Sequence, residues 1–218
     1  MRKIHIITIL PESIEKYLTS SVLGRAARKG VFHTELWDPR DFTKDKHKKV
    51  DGRPYGGGPG MVLSAEPVLK AVAAARKKSP SAKIIILSPR GKVFTNTYAQ
   101  KLAKGEDLIL IAGRYEGIDA RVKKILRAEE ISIGPYVLAG GELPALILVE
   151  CIARHVKGVL GEEMSIEEKR DIAPKEIYTR PEILIYKGKK HKVPKVLLSG
   201  HHKKINEFHK HKSKSQNS

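Results

Sequence analysis

What this sequence has little of narrows the reading first. It contains one cysteine, Cys151, so no disulfide can close within the chain. Cys151 falls in the apolar helical pattern of Leu146 to Ile152, where a free thiol packs as a small hydrophobe. No uninterrupted apolar run reaches membrane-spanning length, and the opening Met1-Arg2-Lys3-Ile4-His5 leads directly into a strand pattern where a signal peptide would carry its own apolar core. These absences set the expectation of a cytoplasmic chain with no membrane segment. Internal repeats are lacking too. Acidic residues are scarce: 24 Asp and Glu face 42 Lys and Arg, a formal net charge of +18 that suits a polyanionic partner such as nucleic acid.

Phosphate cradles are also missing. The run Gly56-Gly57-Gly58-Pro59-Gly60 does not fit G-x-G-x-x-G, because Met61 stands three places after Gly58. Gly91-Lys92 fails as a P-loop, because Ile86 holds the place of its first glycine. The late histidines, including His201, His202, His209 and His211, have no acidic or cysteine partner at ligand spacing, so no metal site is assigned.

With 218 residues and 40% hydrophobic content, the chain can bury a sizeable core. Lys3 to Leu10 reads as a buried strand, followed from Ile14 by one helical stretch ending at Gly30. Val31 to Trp37 alternates as a strand, and Asp38 opens a long polar loop that carries the glycine run. Glu66 to Ala75 is helical, and Lys83 to Leu87 is a continuous apolar strand that Ser88-Pro89-Arg90-Gly91 ends. Thr97 to Lys104 is helical, Leu108 to Ala112 is a second buried strand, and Ile118 to Arg127 a further helix. Ile131-Ser132-Ile133 begins another strand, which breaks at Gly134-Pro135, resumes as Tyr136-Val137-Leu138, breaks at Gly140-Gly141 and turns helical at Glu142. Strands alternating with helices predict an α/β domain with a largely parallel sheet. Three of its strands end in the loops LSPRG, AGRYEG and IGPYVLAGG. Ligands of open α/β sheets bind beyond the carboxyl ends of the strands, so these loops are expected to line one pocket.

The order of motifs carries a resemblance. Asp38-Pro39-Arg40-Asp41-Phe42, the run from Asp51 to Met61, Gly113 to Asp119, Ile133-Gly134 with Tyr136-Val137-Leu138, Gly140 to Ala145, Tyr178 to Pro181 and Val196 to His201 occur in the order found in bacterial tRNA (guanine-N1)-methyltransferases. The resemblance covers residues 1 to about 207. It implies a SPOUT-class deep trefoil knot with a mostly parallel sheet, plus an abbreviated C-terminal helical and basic region. That knot runs against the general rule that chains avoid threading. The implied layout is a knotted catalytic domain over 1–157, a flexible linker over 158–176 and a basic tRNA-binding region over 177–218 with a disordered tail.

The implied activity is methylation of guanine N1 just 3′ of the anticodon, with S-adenosylmethionine as methyl donor, tRNA as substrate and a homodimer sharing its active sites across the interface. The family often depends on Mg2+. Carried over by motif, Ser88, Pro89, Gly113, Tyr115, Gly117, Ile133, Gly134, Pro135, Tyr136, Val137, Leu138, Gly140, Gly141 and Pro144 are expected around the cofactor. Arg53, Tyr55, Gly57, Gly58, Arg180, Ser199 and His201 are expected to meet RNA. Glu116 is expected to face the charged methionine end of the cofactor or the target guanine. Guanine N1 carries a proton, so a base and a positive group for the developing charge on O6 are needed. Arg154 matches the positive group.

For the base the family uses an aspartate in the linker. An ungapped alignment from Gly161 puts Lys169 there, while a small shift in a shorter linker brings in Glu168 or Asp171, of which Asp171 is preferred. The family's Gly-Asp-Tyr is Gly134-Pro135-Tyr136 here, which keeps the bend but loses a carboxylate. Two other readings remain open at this point: a SPOUT RNA methyltransferase with shifted nucleotide specificity, and a non-catalytic RNA-binding dimer.

Overall fold

Continuous apolar runs separated by helical patterns lead to a sheet covered on both faces. The structure, a computed structural model, describes residues 2–160, 176–205 and 207–208. The chain forms two compact units, Met1–Glu163 and Met164–Ser218.

The first unit is built on β1 (Arg2–Ile7), β2 (Phe32–Trp37), β5 (Lys83–Val93), β6 (Leu108–Ala112) and β7 (Glu129–Ser132), all parallel, in the order β2-β1-β6-β5-β7. Successive strand side chains point to opposite faces. Ile4, Ile6, Leu108 and Leu110 therefore enter one core with α1 (Glu12–Leu18), α2 (Ser21–Arg28), α4 (Asn96–Lys104) and α6 (Glu142–Arg154). Ile7, Ile109 and Ile111 enter another, with α3 (Ala65–Lys78) and α5 (Ala120–Leu126). Cys151 packs against the first core, as its helical pattern requires.

The α/β class and parallel sheet match the expectation, and several local readings need correction. The stretch from Ile14 to Gly30 is two helices, because the Thr19 carbonyl turns in against the bare Cα of Gly24, and Ser21 takes φ +47°. The helix expected from Ile118 starts at Ala120, where Asp119 accepts a hydrogen bond from Arg121 N at 2.9 Å. Ile118 instead bridges to Leu63.

Ser88 to Gly91 does not end its strand. β5 bulges there and returns, so that Ile131 of β7 is opposite both Leu87 and Lys92. Gly91 makes this clasp feasible: a Cβ there would lie 2.5 Å from Glu130 C and Ile131 N. No strand resumes over Tyr136 to Leu138, which form an exposed loop.

The long polar loop is partly ordered by a 3-10 turn at Pro39–Phe42 and by an antiparallel ladder of β3 (Asp51–Gly52) with β4 (Val62–Leu63). The glycine run is the tip of this ladder, and Gly56, Gly57, Gly58 and Gly60 all take positive φ.

In the second unit, β8 (Ile183–Tyr186) and β9 (Lys189–Lys192) form a hairpin, followed by α7 (Lys195–Leu198). Lys187 and Gly188, at φ +48° and +72°, supply its two-residue turn. The expected linker, 158–176, lies mostly outside the described residues.

Candidate active site

A cavity of about 810 Å³ opens beside the bulge of β5 and the carboxyl ends of β6 and β7. Three loops wall it, as anticipated for an open sheet. Ser88 and Pro89 come from the bulge of β5, Gly113, Tyr115, Glu116 and Gly117 from the loop after β6, and Ile133, Tyr136, Val137, Leu138, Gly140, Gly141 and Pro144 from the chain after β7.

Gly134 and Pro135 do not line it. The Tyr136 ring folds over the bare face of Gly134, and its hydroxyl donates to the Ile133 carbonyl at 3.1 Å. Ser132 Oγ donates to Gly134 O at 2.9 Å and accepts from Gly134 N at 3.2 Å, so this pair of residues sets the bend and presents its neighbours.

Main-chain contacts hold the loops in register. Gly141 N donates to Gly113 O at 2.8 Å, and Arg114 bridges to Gly140. A Cβ on Gly141 would stand 2.7 Å from Ala112 Cα, a separation only glycine permits. Beneath this crossing lies Glu142, 3% exposed. It accepts from Thr8 Oγ1 at 2.8 Å and from Arg114 Nε at 3.0 Å, and Thr8 Oγ1 also accepts from Leu10 N at 3.0 Å. A buried carboxylate is tolerated when its oxygens are satisfied in this way.

The glycine hairpin is joined to the same site. Glu116 N donates to Met61 O at 2.9 Å, Leu63 N to Gly117 O at 3.0 Å and Asp119 N to Leu63 O at 3.0 Å. The Glu116 side chain rests on Gly60, where a Cβ would be 2.6 Å from its Oε1. Tyr115 takes φ +60° between these contacts, an uncommon conformation for a bulky residue. The expected RNA-facing residues Arg53, Tyr55, Gly57 and Gly58 are all exposed on this hairpin.

The cavity's apolar walls, Ile86, Leu87, Ile131, Ile133 and Leu138, and its bare glycine backbone suit a flat ring and an aliphatic chain. Its charged wall was missed in the sequence. Arg90, Arg114, Lys123, Lys124 and Arg127 all line it. The signal available was helical spacing, since residues 120, 123 and 124 share one face of α5 and Arg127 caps its end. Asp119 is held below the usual carboxylate range by hydrogen bonds from the Arg121 side chain and backbone.

Arg154 is not in the cavity. It ends the 13-residue α6, about 18 Å along the axis from the end that meets the cavity, at 1.5 Å per residue. Arg180, Ser199 and His201 are exposed in the second unit. There Ser199 Oγ donates to Val196 O at 2.7 Å and accepts from His201 N at 3.2 Å, closing α7. Glu168 and Asp171 lie outside the described residues. Among the described residues no group of three or more His, Cys, Asp or Glu could hold a metal ion, and no helix is long and apolar enough to cross a membrane.

Comparison with known proteins places this site in context. The profile of the family described as tRNA (Guanine-1)-methyltransferase TrmD matches residues 2–218. The chain is 45% identical over 206 residues to the tRNA (guanine-N(1)-)-methyltransferase of Marinomonas sp. (strain MWYL1), covering 93% of this chain and 81% of that one. It is 43% identical over 218 residues to the protein of the same name from Clostridioides difficile (strain 630), covering 97% and 92%. With that from Aliivibrio fischeri (strain MJ11) it shares 47% over 204 residues, covering 92% and 80%.

Proposed function

The chain belongs to the tRNA (guanine-1)-methyltransferase family, and from this premise we propose that it methylates N1 of the guanine just 3′ of the anticodon, using S-adenosylmethionine, as a cytoplasmic homodimer. The observation that carries the reading is the convergence of the β5 bulge and the loops after β6 and β7 on one cavity lined by glycine backbone. The cavity's residues fit the cofactor. Gly117, with nothing within 4 Å of where a Cβ would stand, leaves main chain open to a flat ring, the apolar side chains of Ile131, Ile133 and Leu138 offer packing for it, and Glu116 offers a carboxylate to its ammonium end. When bound, the cofactor supplies an electrophilic methyl group on a sulfonium centre.

The backbone layout supports a trefoil knot. β7 is clasped by both halves of β5, and the chain leaving β7 then runs against the exit of β6 through Gly141 and Gly113.

α6 supports the dimer. Its buried face carries Ala145, Leu148, Val149 and Ile152, and the opposite face carries Leu143, 61% exposed, and Ile147, 41% exposed. Arg154 follows Leu143 by eleven residues and so falls on that exposed face. Packing two copies antiparallel along this stripe sets Arg154 of the partner subunit beside the start of α6, where Gly141 and Pro144 line the cavity. The 18 Å that keeps Arg154 from its own cavity thereby becomes the means of reaching the other. There it would stabilise negative charge on guanine O6 while a linker carboxylate, Asp171 in preference to Glu168, takes the N1 proton. A Mg2+ requirement remains part of the family expectation alone.

The test is methylation of tRNA transcripts carrying guanine or another base at the target position. Labelling confined to the guanine transcript, with N1-methylguanine recovered on digestion, is expected, and equal labelling of both overturns the site assignment. Asp171→Ala is expected to lower kcat by at least about 100-fold, in keeping with the loss of a general base, with tRNA affinity little changed.

A further inference from the structure

The cavity holds more positive charge than a methyl donor can use. Its lining residues on α5 are Ala120, Lys123 and Lys124, and Arg127 follows as the left-handed C-cap of that helix, so three of these four side chains are cationic. Some of the charge is neutralised locally. Lys123 Nζ is 2.6 Å from Glu130 Oε2, Arg121 pairs with Asp119 at 2.6 Å, and Arg114 is held by Glu142 at 3.0 Å. Arg90, Lys124 and Arg127 have no carboxylate partner among the described residues, and Glu116 is the cavity carboxylate left to set against them.

S-adenosylmethionine brings a sulfonium, an ammonium and one carboxylate, so it adds a net positive charge of its own. It cannot balance this wall. The ligand that can is an anion held next to the cofactor, and the substrate of the proposed reaction carries one phosphate per nucleotide. Lys124 and Arg127 also stand at the carbonyl end of α5, where the helix field favours cations without a carboxylate nearby.

We propose that Lys124, Arg127 and Arg90 form a phosphate subsite for the RNA backbone flanking the target guanosine, so that the substrate strand enters the cavity along α5. The assignment rests on the RNA-methylating reading given above. It makes the cavity bipolar, with Glu116 for the cationic cofactor and these cations for the polyanion. Ion pairing with phosphate releases counterions from the RNA, so each such contact steepens the salt dependence of binding. The same contacts carry no base information, and they orient the strand.

The experiment measures tRNA affinity across a salt series, and cofactor affinity by calorimetry, for the unaltered protein, Lys124→Gln, Arg127→Gln and the double variant. Lys101→Gln with Lys104→Gln, which alters two exposed cations of α4 outside the cavity, is the charge-matched control. The double variant is expected to weaken tRNA binding at least about tenfold at low salt and to reduce the salt slope by about one to two, since each phosphate contact contributes about 0.9. Cofactor affinity should stay within about twofold, as the subsite takes the polyanion and leaves the cofactor to Glu116. A slope and affinity equal to those of the control overturn the proposal, as does a loss that appears in cofactor binding. Methylation of tRNA by the unaltered protein is followed in parallel. Its absence counts against the proposed function, whereas its presence with an unchanged slope in the variants counts against the subsite alone.

Discussion

Glu142→Gln tests how the loop after β6 is held over the cavity. The carboxylate is 3% exposed and takes two hydrogen bonds, one from Thr8 and a charge-assisted one from Arg114. An amide of the same shape offers a single acceptor. Turned toward Arg114, it leaves its NH2 group against Thr8 Oγ1, which already accepts from Leu10 N, and strands the Thr8 hydroxyl proton. Exchanging a charge-assisted bond for a neutral one costs about 1 to 2 kcal/mol. The Arg114 side chain is 28% exposed, so water recovers part of this and about 1 kcal/mol is the better figure. The stranded donor on buried Thr8 adds about 1 kcal/mol more.

The sum, about 2 kcal/mol, corresponds to a fall in Tm of about 4 to 8 °C for a chain of this size. Scanning calorimetry reads it directly. Because Arg114 leads into Tyr115, Glu116 and Gly117, cofactor affinity should fall with it, and combination with Thr8→Val should be non-additive by at least about 0.5 kcal/mol. A Tm within about 1 °C of the unaltered protein together with unchanged cofactor affinity would refute this account of the carboxylate, because a satisfied buried charge does not leave without cost.

Three further outcomes follow from the packing. Gly141→Ala sets a Cβ 2.7 Å from Ala112 Cα, and since backbone cannot step aside it should cost about 3 kcal/mol, whereas Gly52→Ala, with nothing within 4 Å, should be nearly neutral in the same melting assay. If the proposed dimer packs along α6, Leu143→Asp with Ile147→Asp should leave a monomer in light scattering and remove methylation while each protomer still binds cofactor; a fully active monomer would sink the shared site. His5 is pushed below its usual value by burial, which outweighs the upward pull of Glu35 and Asp107, while Lys3 and Lys78 add to the lowering. Trp37 Nε1 donates to its Nδ1 at 3.1 Å, which fixes the proton on Nε2 for Ser79 Oγ at 3.0 Å. The neutral ring is therefore the folded form, and its contribution to stability is intact above the ordinary value of about 6.5 and is lost as pH falls below it. Tm measured from pH 7.5 down to 5 should drop less steeply in His5→Gln than in the unaltered protein.

The sheet was legible because its strands are unbroken apolar runs, and the loops that meet at the cavity were legible because each follows such a run. Other features depend on contacts that no local pattern encodes. Ser88 to Gly91 reads as a strand end, yet the bare Cα of Gly91 fits against Glu130 and Ile131 and lets the strand continue. Thr19 to Ser21 carries no strong breaker, and the carbonyl that packs on Gly24 divides the helix there. The hairpin of β8 and β9 was not read from the sequence, because its all-basic second strand hides any alternation. Lys124 and Arg127 carry no local signal that marks a site, since only the fold turns them toward a cavity. Helix rise alone separates Arg154 from its own cavity, and the sequence shows that distance only once α6 is known to begin at the cavity.

The seam between the glycine hairpin and the loop carrying Glu116 makes the two a single mechanical piece. A ligand that settles the hairpin tip also narrows the positions open to the Glu116 carboxylate, through the Met61, Leu63 and Gly117 hydrogen bonds. Binding free energy then becomes shared between the outer surface and the cavity. Linkage requires the exchange to be reciprocal: whatever an occupant of the cavity gains from a settled hairpin, a polymer gripping the hairpin gains equally from a filled cavity.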